Sequence, residues 1–273
     1  MKHRFHNKTV IITGASAGVG ASTARAFAAL GANLVLIARG QEALDKIDSE
    51  LKKITQVLTF AMNVTDTKMC IHMLEQTHLH FGSIDILINN AGYHARGNVE
   101  DNQAEQLASM VDVNLRAPIE LSRLTLPYMR QEKTGAIVNV GSLAGRTPLQ
   151  GAATYSATKA GLRAFTYSLA DELRTTGISI GLVSPGPIDT GFIMDELDDV
   201  EDIVFSQPLS TSDQVADAVL EIALGKQVEI SLPKSSGYLT MVSYLSPKLR
   251  RLLRPYLYKK GRKAKEIYRK LKS

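Results

Sequence analysis

Cysteine is almost absent from this chain of 273 residues: Cys70 stands alone. A single thiol excludes an intramolecular disulfide and a cysteine-rich zinc site, and it is at home in a reducing compartment. Its plain reading is a small buried helix residue. Long apolar runs are missing too. Met1–Lys8 is polar and leads straight into a short apolar strand, without the roughly 7–15-residue apolar stretch of a secretory signal. Nothing approaches the ~20 apolar residues of a membrane span, so a cytoplasmic location is expected. Repeats and proline- or glutamine-rich tracts are absent, which implies neither a solenoid nor extended disorder. At this length one α/β domain is the simplest expectation. Three histidines, His72, His78 and His80, crowd one predicted helix, but positions 78 and 80 point in different directions, so no metal site is expected.

Charge is present in both signs but unevenly placed. Twelve of the 32 basic residues and one of the 27 acidic ones fall in 248–273, so this stretch carries +11 and everything before it −6. The tail holds the basicity.

Short apolar segments at Thr9–Ile12, Asn33–Ala38, Gln56–Met62, Ile84–Asn89, Ala136–Val140, Ile178–Val183 and Val228–Leu232 alternate with segments of helical period at Ala21–Leu30, Gln41–Lys52, Thr67–Phe81, Gln103–Gln131, Thr154–Arg174 and Ser212–Leu224. The strands are continuously apolar, as expected of a parallel sheet covered on both faces. Asp66, Ser212 and Asp213 stand where capping side chains belong, and Gly31, Gly82, Gly177 and Gly225 where helices should stop. The pattern predicts an α/β fold with a doubly wound, Rossmann-type parallel sheet of seven strands and helices on both faces, followed by a basic C-terminal helical extension. Residues 1–233 form the dinucleotide-binding catalytic domain in this reading, and 234–273 an amphipathic extension that is not an independent domain. Ligands in such folds bind beyond the carboxyl ends of the strands.

The first strand–helix loop reads Thr13-Gly14-Ala15-Ser16-Ala17-Gly18-Val19-Gly20. Three glycines let the backbone turn sharply and approach a pyrophosphate, whose charge the helix N-terminus stabilises. The spacing G-x-x-x-G-x-G differs from the common G-x-G-x-x-G, and a tight connection is the alternative. The second strand ends in Ala38-Arg39, where NAD enzymes usually carry an acid. A guanidinium there can hold the 2′-phosphate of NADP, so NADP(H) is preferred and NAD(H) admitted; a solvated surface arginine is the alternative, since Ala17 adds no second cation.

Asn89-Asn90-Ala91-Gly92 ends the fourth strand, Ser142 follows the fifth, and Tyr155 and Lys159 stand four residues apart, hence on one face of a helix. An unperturbed phenol titrates at ~10, and a neighbouring ammonium favours phenolate, bringing it toward the range of a general acid/base.

With the glycine loop, Asn89–Gly92, Asn114, Ser142, the Tyr155/Lys159 pair and Pro185-Gly186 in this order, the chain resembles the short-chain dehydrogenase/reductase family of the typical single-domain type, from about Lys8 to Leu232. Each motif alone is weak; the combination is specific. The resemblance implies that Tyr155 is the general acid/base, that Lys159 lowers its pKa and holds the nicotinamide ribose, that Ser142 hydrogen-bonds the substrate oxygen, and that Asn114 holds a water linking Lys159 to solvent. It assigns cofactor contacts to Thr13, Gly14, Ser16, Ala17, Gly18, Val19 and Gly20, to Arg39, to Asn63 and Val64, to Asn90, Ala91 and Gly92, to Tyr155 and Lys159, and to Pro185, Gly186, Ile188 and Thr190. Asn63 departs from the family pattern, where many relatives place an aspartate facing the adenine amine; its amide oxygen can accept the same bond.

The implied function is interconversion of a ketone or aldehyde and an alcohol, on a small and hydrophobic substrate. Alternatives are a 3-oxoacyl carrier reductase and a catalytically silent nucleotide-binding regulator or scaffold. A homo-oligomer, dimer or tetramer, is expected by the resemblance. The acidic run 195–202 is a lid or a solvated loop, and its charge could be met by the tail. The tail, Leu245 to Leu271, mixes leucines and tyrosines with the basic residues, a pattern that suits peripheral contact with an anionic membrane, a subunit wrap or a solvated helix. No binding module accompanies the charge, so no nucleic-acid partner is expected.

Overall fold

The computed structural model describes residues 2–194, 198 and 200–272. In chain order the elements are α1 (Lys2–Phe5), β1 (Thr9–Thr13), α2 (Gly18–Ala29), β2 (Asn33–Ala38), α3 (Gln41–Leu51), β3 (Val57–Ala61), α4 (Thr67–Phe81), β4 (Ile86–Asn89), α5 (Ala104–Val111), α6 (Ala117–Gln131), β5 (Gly135–Val140), α7 (Ala153–Leu173), β6 (Ile178–Pro185), α8 (Gly191–Met194), α9 (Ser212–Ala223), β7 (Glu229–Leu232), α10 (Lys234–Leu245) and α11 (Pro247–Lys272). The seven strands form one sheet in the order β3-β2-β1-β4-β5-β6-β7, and every pairing is parallel.

The sheet reads as apolar throughout because successive side chains enter opposite cores. Val10 and Ile12 pack with Phe27 of α2, Leu44 of α3 and Val219 of α9. Ile11, between them, packs with Met73 of α4, Leu121 of α6 and Leu169 of α7. Both faces are dry, so an alternating polar pattern would bury unsatisfied groups. Cys70 lies in the second core, where burial pushes its thiol up to about 11 and leaves it a structural residue.

Two local expectations are corrected. The segment Gln103–Gln131 is not one helix: a π turn at Asp112–Arg116 separates α5 from α6. The wider turn places Asn114 in the fully buried interior. Neither Ser212 nor Asp213 caps α9; Thr211 does, in a reciprocal capping box with Gln214. Thr211 has its box partner three residues on, which satisfies two end groups at once. Asp66 caps α4 as expected, and Gly82 closes it with φ +79°.

After β7 the chain runs into two helices that return over the carboxyl ends of the strands. α10 lies against β7, and α11 spans the turn 202–206. No helix among the described residues is long and apolar enough to cross a membrane.

Candidate active site

A cavity of about 1070 Å³ opens beyond the carboxyl ends of β1, β2, β4, β5 and β6, where the strand order reverses between β1 and β4. Its first half is built from the loop after β1. Gly14 (φ +64°) and Gly18 (φ +50°) both adopt the left-handed conformation, and a side chain at Gly14 would come within 3.0 Å of the Asn90 amide and the Ala91 backbone. Gly14, Ser16, Ala17, Gly18 and Val19 line the cavity. α2 starts there without a side-chain cap and with no acid in its first turn, so its positive end faces the space undiluted. Such a cradle, with a left-handed backbone at both glycines and no room for a side chain at Gly14, fits a pyrophosphate.

Thr13 and Gly20 stand behind this wall. The Thr13 hydroxyl accepts from Asn90 N at 2.9 Å and Ala91 N at 3.0 Å and donates to the Ile88 carbonyl at 3.2 Å. The Asn90 amide donates to the Thr13 and Gly14 carbonyls at 2.9 and 3.1 Å. Gly20 packs directly on the Gly14 carbonyl, leaving no room for a Cβ. These contacts clamp the glycine loop to Asn90–Gly92, which line the cavity themselves.

Arg39 lines the cavity beside Ala38, exposed, and among the described residues no ion pair engages it. Asn63 and Val64 line the next stretch; the Asn63 amide oxygen already accepts from Thr65 N at 3.1 Å. On the opposite side Pro185, Gly186, Ile188 and Thr190 close over the opening, with the Thr190 methyl group above Gly18.

The reactive groups meet at the middle of the cavity. Ser142 accepts from Ala144 N at 3.1 Å and so caps the turn Leu143–Gly145. Gly145 packs against the Lys159 backbone with no space for a Cβ, which fixes that turn against α7. α7 presents Tyr155 and Lys159 one turn apart. The Lys159 ammonium donates to the Val140 carbonyl at 2.9 Å and lies 5.8 Å from the centre of the Tyr155 ring. Burial lowers the Lys159 ammonium to about 8. Tyr155 departs from the lowering expected of it: burial pushes its phenol above the ordinary value, against a hydrogen bond with Ser142 and the positive charge of Arg96. The ammonium faces a carbonyl rather than the phenol, and both groups are dehydrated.

Asn114 lies in the core rather than on the cavity wall. Its amide oxygen accepts from Tyr93 N at 3.0 Å and its amide nitrogen donates to Tyr93 O at 2.8 Å, so it holds the 92–94 segment by both ends of one peptide. Gly92 fits between Asn114 and Lys159; a Cβ there would come within 3.0 Å of the Asn114 oxygen and 3.6 Å of the Lys159 nitrogen.

Several residues of this centre carry no sequence signal. His94 stacks on Tyr155 with ring centres 4.4 Å apart and planes at 21°. Burial and the charge of Arg96 lower its imidazole to about 4, so it is neutral at physiological pH. Arg96 donates to His94 Nδ1 at 3.0 Å and to the Phe192 carbonyl at 2.5 Å. The outer half of the cavity is lined by Phe192, Ile193 and Val204, and by Leu239, Val242, Leu249, Leu253 and Leu257 of α10 and α11. That wall is apolar.

The tail is held there by the acidic segment. Tyr258 donates to Glu201 at 3.1 Å, Arg262 pairs with Asp202 at 3.2 Å, Arg269 pairs with Asp198, and Lys265, itself buried, donates to the Val200 carbonyl at 2.6 Å. Asp195, Glu196, Leu197 and Asp199 lie outside the described residues.

A model of the short chain dehydrogenase family matches residues 8–201. The ketoacyl reductase HetN of Nostoc sp. is 35% identical over 225 residues, covering 82% of this chain and 77% of that protein. An uncharacterized oxidoreductase of Staphylococcus epidermidis is 36% identical over 191 residues, covering 68% and 80%. Among solved structures, a short-chain dehydrogenase from Streptomyces avermitilis superposes with a TM-score of 0.76 at 26% identity, over 91% of this chain and 95% of that one. A metagenomic short-chain oxidoreductase in complex with NADP gives 0.70 at 29% identity, over 83% and 97%.

Proposed function

The chain belongs to the short-chain dehydrogenase family, an oxidoreductase acting between CH–OH and C=O with NAD(P), and from that premise we propose that it uses NADP(H) to interconvert a hydrophobic ketone or aldehyde and its alcohol at Tyr155. The observation that carries this reading is the convergence of Ser142, Tyr155 and Lys159 on one cavity that joins a phosphate cradle to an apolar wall. Arg39 stands where a 2′-phosphate would meet a guanidinium instead of a repelling carboxylate, and NADP is the nucleotide bound by the metagenomic relative.

When bound, the nicotinamide supplies or accepts the hydride. The chain's own groups handle the oxygen. Tyr155 holds the proton that goes to the substrate oxygen on reduction and takes it back on oxidation. Ser142 donates to the same oxygen, fixing its position and stabilising the charge that grows on it. Lys159, with a proton affinity close to neutral and its ammonium fixed on the Val140 carbonyl one turn from Tyr155, resupplies the proton that the phenol gives up. His94 keeps the phenol ring in plane by stacking, and because it is neutral it adds no competing charge. The apolar wall of α10 and α11 excludes water and suits an acyl or other extended hydrocarbon substituent; the ketoacyl reductase among the relatives acts on a compound of that kind by its name.

The test is a fluorescence titration with NADPH and NADH, followed by a screen of ketones with increasing apolar chains. Replacing Arg39→Ala should weaken NADPH about tenfold or more and leave NADH nearly unchanged. Tyr155→Phe should bind NADPH normally and lose about 10²–10⁴-fold in turnover. Equal affinity for both nucleotides would refute the NADP preference. NADPH binding with no turnover of any carbonyl would favour the regulator or scaffold reading.

A further inference from the structure

Helix α10 is inside out. The residues it turns toward the body are Ser236, Gly237 and Thr240, all buried, with Ser243 half-buried beside them. They make close, polar contacts. A Cβ at Gly237 would come within 2.6 Å of the Ser231 Cβ on β7, Arg146 donates to the Gly237 carbonyl at 3.3 Å, and Ser243 pairs with Thr147 at 3.3 Å. The large apolar residues point the other way: Tyr238 is 72% exposed, Tyr244 63% and Leu245 75%, with Met241 at 47%. The start of α11 continues the surface with Leu252 and Tyr256, 76% and 66% exposed. Scattered exposed leucines are ordinary, but a continuous apolar surface on two adjoining helices marks a binding face.

Charge decides what that face binds. Arg262, Lys265 and Arg269 are engaged by the acidic segment. Among the described residues Lys248, Arg250, Arg251, Lys259, Lys260 and Lys263 form no ion pair. A second copy of the chain on this face would bring these six cations against the same six of its partner. An anionic bilayer satisfies both features, since headgroups meet the lysines and arginines while the apolar side chains enter the acyl boundary. We propose that the outer face of α10 and the first turns of α11 dock on an anionic lipid surface, lying in its plane. Leu239, Val242 and Leu253 are exposed on this same surface and also line the cavity. The cavity mouth therefore opens toward the lipid, and a carbonyl compound dissolved in the bilayer reaches Tyr155 without passing through water. That last step rests on the reductase reading; the docking does not.

The experiment is co-sedimentation of the full chain with phosphatidylcholine vesicles, with and without phosphatidylglycerol, at low and high salt, beside an NADPH titration of each variant. The native chain should bind the anionic vesicles and be released by salt. The double substitution Tyr238→Ser and Leu245→Ser touches neither the cavity nor the core, so it should keep NADPH binding and lower vesicle partition by about tenfold or more. The chain has no tryptophan, so Leu245→Trp gives a sole reporter that brominated lipid should quench. The proposal is overturned if anionic vesicles do not bind, if the double substitution binds them undiminished, or if the tryptophan is not quenched. It is equally overturned if the double substitution splits a dimer in lipid-free solution, because a second copy would then cover the face. Loss of NADPH binding by the native chain would count against the proposed function and leave the vesicle result standing.

Discussion

Lys159 should cost the fold stability at neutral pH, and removing it should show by how much. Its ammonium is lowered from the ordinary 10.5 to about 8 by burial. A depressed lysine means that the unfolded chain binds the extra proton more tightly, so the penalty is full below pH 8 and fades as the pH rises toward 10.5. From 10.5 to about 8 the difference is worth ~3 kcal/mol. At about pH 9.5 most of the unfolded lysine is still charged while the folded one is neutral, and roughly 2 kcal/mol of the penalty has been relieved. Lys159→Met removes the charge but leaves the Val140 carbonyl, now served at 2.9 Å, without a donor, which returns about 1 kcal/mol. The variant should therefore be more stable than the native chain by about 2 kcal/mol at pH 7, and no more stable by about pH 9.5, while losing turnover. Equilibrium urea unfolding of both proteins at the two pH values measures this directly. Stability curves that run parallel with pH would refute the claim that Lys159 is dehydrated in the free chain.

Two further outcomes follow from groups outside the reactive centre. Glu229 is buried, which alone would raise its carboxyl, but hydrogen bonds from Arg163, Ser184, Arg146 and Tyr167 outweigh that and hold it at about 2. Glu229→Gln should destabilise the chain by roughly 3–5 kcal/mol in thermal or urea unfolding, because Arg146 and Arg163 lose their carboxylate. The native chain should lose this contribution as pH falls from about 4.5 toward 2, and a variant that melts like the native chain would contradict it. At Gly261 a Cβ would collide with the Asp202 carbonyl. Gly261→Ala should lift α11 from the turn 202–206 and speed tryptic cleavage between 248 and 272 while NADPH affinity is kept; unchanged protection would show that α11 is not held there.

The strands were legible because a sheet covered on both faces leaves mostly apolar runs: β1, β2 and β4 carry them with polar residues only at their ends, while single polar residues such as Thr59, Asn139, Ser179 and Ser231 interrupt the others. Long helical period was a poorer guide. Apolar residues recur at three- and four-residue spacing on both sides of the π turn, as at Leu107, Met110 and Val111 before it and Leu121 and Leu124 after it, so the pattern does not mark where the turn lies. The reactive half of the cavity was legible for a chemical reason: glycine, tyrosine and lysine act there from βα loops and one helix face, where spacing along the chain is spacing in space. Thr13, Gly20 and Asn114 fell into the same motifs yet serve from behind the wall, because a pattern does not distinguish a residue that touches a ligand from one that holds its neighbour. His94, Arg96 and Phe192 were invisible for the opposite reason. His94 reaches the Tyr155 ring from a segment that Asn114 grips at Tyr93, 21 positions away in the chain, and Phe192 tilts toward the same ring from a segment 37 positions beyond it.

The same division bears on the chemistry. A tyrosine and a lysine at four-residue spacing imply a phenol depressed by an ammonium, yet in the fold both are dehydrated, and dehydration moves them in opposite directions: the phenol up, the ammonium down to about 8. The ordinary values, 10 and 10.5, lie close together, so dehydration drives the two proton affinities apart: the lysine becomes the stronger acid, and the proton stays on the phenol until the substrate oxygen takes it. What dehydrates them is not local to α7. His94 and Phe192 lie 4.4 and 6.4 Å from the Tyr155 ring centre, and the Lys159 ammonium sits against the Val140 carbonyl and Gly92, so segments outside α7 share in setting both proton affinities. Phe192→Ala should consequently alter the pH profile of turnover along with the preference among substrates, and an unchanged profile would show that Phe192 does not help to dehydrate the phenol.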